Sequence, residues 1–287
     1  VRSPLRDRLT RSFAARRSAV ATTVALVAVL AACGGSSASP ATKIVSAAEA
    51  TRAQHTLQVA VTVTGTSPGT PMLTAHGSGA FDLTTNEGQL ALTVAGVAQL
   101  AGLGRIQTVL SGPIVYANLG RLVPGGRPWV KIDVRALPQL PGFDLTPLKQ
   151  LQSAEPFTVL DGLEGAGQPL TVLGPDTVNG VATTHYRTQV DLERAATRFS
   201  GTEAAALRTI AGNLTSPTFP ADVWIDARGL VRQASYTATA KAINPGAAPV
   251  QFSAMFDFTG FGQPVSVQVP AAGQTVDLAA LFSQLGS

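Results

Sequence analysis

Residues 56–64 read Thr56-Leu57-Gln58-Val59-Ala60-Val61-Thr62-Val63-Thr64. Leu57, Val59, Val61 and Val63 alternate with polar or small residues. Successive side chains of a strand point to opposite faces, so this period of two predicts a strand with one buried face. The stretch just before it has another period. In Thr42–Gln54, Ile44, Val45, Ala48 and Thr51 recur three and four residues apart, with Glu49 and Arg52 left for the wet side. That spacing predicts an amphipathic helix.

Working outward, the strand pattern repeats. Leu73–Leu83 predicts a second strand, in which Gly77 and Gly79 allow a bend or bulge. Thr84–Gly88 is a turn, and Leu90, Leu92 and Val94 alternate after it. Ile106–Leu110 and Ile114–Asn118 flank Ser111-Gly112-Pro113 as a hairpin, and Trp129–Val134 is a further short strand. Residues 138–167 are interrupted by Pro and Gly and hold two short helical stretches, Thr146–Gln152 and Glu155–Leu163. Strands at Leu170–Leu173 and Thr183–Leu192 are joined through Asn179-Gly180, a dipeptide that tolerates positive φ. Leu192–Leu214 predicts a longer helix that Ser200-Gly201 can break. Ala221–Ala227 and Leu230–Ala242 flank Arg228-Gly229. Val250–Thr259 then places Phe252, Ala254, Phe256 and Phe258 on one side, and Val265, Val267 and Val269 close the series. The order predicts an α+β fold: one curved antiparallel sheet with helices on one face.

The N-terminal residues have a different role. Arg2, Arg6, Arg8, Arg11, Arg16 and Arg17 precede an uncharged run, Ser18–Ala32, rich in Ala, Val and Leu. A positive start, a short apolar run and small residues before a cut are the marks of an export signal. The run is too short to span a bilayer comfortably, which takes roughly 20 apolar residues. It ends in Leu30-Ala31-Ala32-Cys33, and Cys33 is the one Cys of the chain. This ending resembles the lipobox of bacterial lipoproteins. The resemblance implies cleavage between Ala32 and Cys33 and a diacylglycerol on the Cys33 thiol. We therefore expect a signal peptide over 1–32, a lipidated Cys33 with a flexible Gly/Ser linker to Thr42, and a single folded domain over 43–287. The expected location is the extracytoplasmic face of the cell membrane.

Charge and composition narrow the function. The chain has 21 Lys and Arg against 17 Asp and Glu. Six Arg and one Asp lie before Cys33, so the remainder holds fifteen basic and sixteen acidic residues. No basic excess is left to neutralise a phosphate backbone, which argues against nucleic-acid binding. A single Cys excludes an internal disulfide. His55, His76 and His185 lack companions at ligand spacing, so neither a metal nor another cofactor is expected. His76-Gly77-Ser78-Gly79 lacks the first Gly of a nucleophile elbow. Asp222 and Asp226 share a strand face, but Trp224 lies between them and Arg228 is near, which reads as a solvated, salt-bridged strand end. No catalytic set emerges.

Several stretches resemble the LppX/LprAFG-type actinobacterial lipoproteins. They are the lipobox and linker, the strand opening Leu57-Gln58-Val59-Ala60-Val61, and the run from Asp176-Thr177-Val178-Asn179-Gly180-Val181 through His185-Tyr186. Ala221-Asp222-Val223-Trp224-Ile225-Asp226 and Gly229-Leu230-Val231-Arg232 complete the set. The likeness covers about Thr42 to Pro270. High Ala and Gly with little Lys fit an actinobacterial source. The resemblance implies a half-barrel related to the LolA/LolB-like carriers, with helices on the concave face and an apolar cavity between. It implies binding or transfer of lipids or lipoglycans, with the membrane itself and an unidentified export or transport protein as further partners. Candidate cavity residues are Val59, Val61, Leu90, Leu92, Leu110, Tyr116, Phe252 and Phe256. Two alternatives stay open: an envelope protein with a closed core that binds protein partners, and a hydrolase of wall or lipid substrates.

Overall fold

A computed structural model describes residues 40–69, 72–96, 105–133, 158–167, 169–242, 248–278 and 280. Ala32, Cys33, the Gly/Ser linker up to Ser39 and the helical expectation at Thr146–Gln152 lie outside the described residues.

Two meanders share one sheet. The first is β1 (Thr56–Thr66), β2 (Leu73–Asp82), β3 (Glu87–Ala95), β4 (Arg105–Ser111), β5 (Ile114–Asn118) and β6 (Trp129–Asp133). The second is β7 (Thr171–Val178), β8 (Val181–Asp191), β9 (Thr218–Asp226), β10 (Val231–Ala240) and β11 (Val250–Thr259), and β12 (Thr275–Asp277) follows. The meanders join where β1 pairs with β11, giving the order β12-β6-β5-β4-β3-β2-β1-β11-β10-β9-β8-β7. Every pairing is antiparallel except β12 with β6. Among the described residues four α-helices accompany the curved sheet: α1 (Pro40–Arg52), α2 (Thr158–Leu163), α3 (Leu192–Ala196) and α4 (Gly201–Asn213).

The register defines two faces. Val59 stands opposite Gly79 on one side and Phe258 on the other, and Gly79 opposite Leu90. Side chains paired directly share a face, so these residues are on one side, the side the helices cover. Ile44, Ala47 and Ala48 of α1 pack there with Leu57, Phe81, Phe258, Ile225 and Val231. Thr51 ties α1 to the sheet: its hydroxyl donates to the Ala47 carbonyl (2.7 Å) and accepts the Val231 N–H (2.9 Å). A small satellite core of Val123, Val130, Val276 and Leu278 closes the β6–β12 end.

Gly77 and Gly79 would allow a bend or bulge in β2. The β2–β3 ladder instead runs without a slip from Thr74–Ala95 to Asp82–Glu87. Both glycines are there for close approach. A Cβ on Gly77 would meet the Ala91 carbonyl and Leu92, one on Gly79 the Gln89 carbonyl and Phe81. The Phe81 ring lies over Gly88 and is itself buried. The bulges occur elsewhere, at Val172–Gly174 in β7 and Val231–Gln233 in β10. The strand expected at Leu170–Leu173 continues as far as Val178, because Asn179 (φ 48°) and Gly180 (φ 78°) form the tight turn that pairs β7 with β8. The long helix expected from Leu192 divides into α3 and α4, and α3 is capped by Asp191, whose carboxylate accepts the Glu193 and Arg194 N–H groups.

The expected strand at Val265, Val267 and Val269 is not formed; residues 263–271 carry no ladder. The reason is topological. β11 already pairs with β1 and β10, so the chain beyond it has no free edge nearby. It must reach β12, seven strand positions away, a distance of about 34 Å at the usual strand spacing. Fifteen residues in a helix would cover only about 22 Å. The segment therefore crosses the sheet in extended form, passing over the outer face, where Gln268 lines the same cleft as Gln58, Gln89 and Gln107.

Candidate functional site

The inner face is divided into two zones. Towards α1, Leu57, Phe81, Phe258, Leu163 and Leu207 are fully buried. Towards the middle of the sheet, large apolar side chains on the same face are only half-buried: Val61, Val63, Leu90, Leu92, Phe252 and Phe256. They look into a cavity of about 400 Å³. Val59, Val61 and Val63 of β1 form its floor, with Leu90 and Leu92 of β3 on one flank and Phe252, Ala254 and Phe256 of β11 on the other. Leu192, Ile210 and Leu214 form the roof, from α3, α4 and the end of α4.

Its hollowness follows from the sequence of β2. The inner positions between β1 and β3 are Ala75, Gly77 and Gly79, which contribute almost no side-chain volume. The backbone contacts described above prevent anything larger at the glycines. The flanking Val and Leu residues cannot fill the space that remains. A concave apolar cavity of this size is the usual form of a small-molecule site.

Among the described residues, Tyr236 is the lining residue with a polar side-chain group. Tyr236 of β10 packs edge-on against Phe219 and Phe256 (centroids 5.7 and 6.3 Å). Burial holds its hydroxyl well above the usual tyrosine range, and the nearby Asp161 charge adds to the effect. The phenol is therefore neutral at any physiological pH. Asp161 in α2 and Glu164 just after it are bound by the Arg52 guanidinium of α1 at 3.3 Å each. Burial raises the Glu164 carboxyl above its usual range, and Arg52 opposes that shift. The pair pins α2 to α1 beside the cavity.

Six of the eight residues anticipated from sequence line this cavity: Val59, Val61, Leu90, Leu92, Phe252 and Phe256. The other two do not. Leu110 shares the inner face but stands opposite Gly88, in line with Phe81 and Leu57, and packs on the filled zone. Tyr116 pairs with Val109 and Lys131, which puts it on the outer face. Tyr236, Phe219 and the roof residues were missed. The alternation Ala234-Tyr236-Ala238 was the available signal for Tyr236, whereas nothing local marks Ile210 or Leu214 as roof.

The polar clusters are structural in form. Asp222 accepts the Arg187 Nε–H (2.9 Å) and faces His185 Nε2 (2.8 Å), whose ring stacks on Trp224 at 4.1 Å. Trp224 donates to Asp176 (2.8 Å), which lowers the Asp176 carboxyl below its usual range. Asp226 is nearly buried, not solvated, and is held by Arg232 (2.8 Å) with Arg228 at 3.6 Å. The two Asp residues have separate partners. Among the described residues no group of three or more His, Cys, Asp and Glu gathers as a metal would need.

The chain is 26% identical over 217 residues to an uncharacterized 31.2 kDa protein of Streptomyces griseus from the rplA–rplJ intergenic region, spanning 73% of this chain and 68% of that one. No family model matches it. Among solved structures it is similar to the lipoprotein LppX of Mycobacterium tuberculosis, at 15% identity and TM-score 0.47, over 80% of this chain and 100% of that one. It is similar also to LprF of Mycobacterium bovis, at 15% identity and TM-score 0.45, over 82% and 99% of the two chains. A LolA superfamily protein of Nitrosomonas europaea follows at 9% identity and TM-score 0.27, over 80% and 94%.

Proposed function

We propose that this chain is a non-enzymatic lipid-binding lipoprotein, anchored through Cys33 to the extracytoplasmic face of the cell membrane, that sequesters acyl chains in the cavity under α3 and α4. The observation that carries the proposal is the contrast within one sheet face. Val61, Leu90, Leu92, Phe252 and Phe256 are half-buried around about 400 Å³ of apolar space, while Leu57, Phe81 and Phe258 beside them are fully buried. A protein using this face only for stability would have filled it, since interiors pack like organic crystals.

The driving force is desolvation of the chain, at about 0.8 kcal/mol per CH₂. Seven methylenes would supply about 6 kcal/mol, before the cost of immobilising the lipid. The cavity wall offers little that could discriminate head groups, so selectivity would rest on chain length and shape. A lipid anchor at Cys33 would put the body where such lipids are found. Equilibrium displacement of a fluorescent fatty acid from the purified protein tests the proposal: saturable one-site binding is expected, and no binding at any lipid concentration below micelle formation would overturn it.

A further inference from the structure

The outer face of the sheet carries a second cavity of different chemistry. The structure assigns to it a glycan-binding role: we infer that the cleft between the outer face of β1–β4 and the crossing segment at Gln268 binds a neutral oligosaccharide strand. This inference does not rest on the lipid reading, because the two cavities lie on opposite faces.

The cleft measures about 640 Å³. Its floor is made of small side chains aligned across neighbouring strands: Ala60 opposite Ser78, Ser78 opposite Ala91, and Ala80 opposite Gln89. Its walls are amides. Gln58, Gln89 and Gln107 rise from three different strands, and Gln268 comes from the segment that passes overhead. Trp129 closes one end, half-buried, with its pairing partner Asn118 beside it. The Asn118 amide donates to Gln107 at 3.4 Å, which orients one wall.

The composition selects the ligand class. An acyl chain is disfavoured, because every wall amide would have to lose its water without a partner. A peptide cannot add as a strand, because β1, β2, β3 and β4 are each paired on both sides. A polyanion would need a cluster of cations, and Arg105 is the one cation among the lining residues. A sugar satisfies all three conditions. Its hydroxyls donate and accept, as side-chain amides do, and a Trp ring offers an amphipathic surface with an apolar body. Four amides around a shallow floor fit a chain of hydroxyl-bearing rings better than a single small solute.

Trp129 also supplies the readout, since the chain has two Trp and Trp224 is engaged with Asp176 and His185 away from this cleft. The full-length protein, with Trp224→Phe to isolate the signal, is titrated with chitotetraose, maltotetraose and mannotetraose while Trp fluorescence is followed. Saturable quenching by at least one of them in the millimolar range or tighter is expected. Gln89→Ala and Gln107→Ala, both exposed and so neutral for folding, should each weaken that binding at least several-fold, and Val61→Trp on the inner face should leave it unchanged. Absence of saturable binding by all three sugars overturns the inference. So does binding that persists at parental affinity in the Gln89→Ala, Gln107→Ala double variant.

Discussion

Val61→Trp separates a hollow inner face from a filled one. Val61 lies in the middle of β1, opposite Gly77 and Phe256, and half-exposed to the cavity. Trp adds seven non-hydrogen atoms, on the order of 100 Å³, to a position where a packed core would lose about 1–3 kcal/mol through overpacking. The cavity holds about 400 Å³, so the ring can enter it without displacing Leu92 or Phe252. Stability should change by less than about 1 kcal/mol. Binding should not survive so well. The ring takes the space of roughly four methylenes, worth about 3 kcal/mol at 0.8 kcal/mol each, which corresponds to a roughly hundred-fold weaker affinity. The assay pairs displacement of a fluorescent fatty acid with urea denaturation of the same preparation. A parent that binds no lipid, together with a variant destabilised by an overpacking cost, would refute the reasoning. Parental affinity in a stable variant would refute the placement of the ligand.

Three further outcomes are expected. Thr51→Val leaves the buried Val231 N–H without its acceptor and should cost about 1–3 kcal/mol in chemical denaturation, whereas Thr51→Ser, which keeps the hydroxyl, should cost clearly less. Asp226 has a lowered carboxyl pKa: burial would raise it, but the Leu230 N–H and Arg232 outweigh burial. A depressed folded-state pKa stabilises above the unfolded value, about 3.9, and that stabilisation disappears as pH falls through the folded value. The stability gap between the parent and Asp226→Asn, measured by denaturation from pH 7 to pH 2, should thus be constant near neutrality and shrink below about pH 4; a gap that stays constant or widens in acid would contradict the reading. Finally, Cys33→Ser should abolish incorporation of labelled palmitate and leave uncleaved precursor or soluble product, since stable anchoring takes at least two acyl chains. Label retained in Cys33→Ser would show that the anchor lies elsewhere.

How much of this was legible in the sequence depended on parity. Where a strand alternates cleanly, as in Leu57-Gln58-Val59-Ala60-Val61, the inner face can be read directly, and Phe252, Ala254, Phe256 and Phe258 declare themselves in the same way. Ile114-Val115-Tyr116-Ala117 is a continuous apolar run, so its parity is invisible. Only the pairing of Leu110 with Val115 shows that Tyr116 faces outward. The boundary between filled and hollow zones was hidden for another reason: it depends on which strand residues meet α1 and which meet α3 and α4, a property of tertiary packing. The valines at 265, 267 and 269 show the converse error. Their alternation is real, but a strand also needs a free neighbouring edge, and the strand order withholds one. The small inner side chains of β2 were visible as Gly77 and Gly79, but the sequence shows only that they allow a bend or bulge; that they let β3 approach and leave the cavity open is seen only once the strands are paired.

The central claim is that the inner cavity holds an acyl chain, and mass spectrometry of what the protein carries tests it most directly. The Cys33→Ser protein is purified without detergent, its bound material extracted into organic solvent, and the Val61→Trp, Cys33→Ser protein treated in parallel. An acyl lipid is expected in near-stoichiometric amount in the first extract, with strong depletion in the second. An extract of the first protein that contains no acyl lipid, from a preparation that unfolds cooperatively and also fails to take up added fatty acid, would contradict the claim.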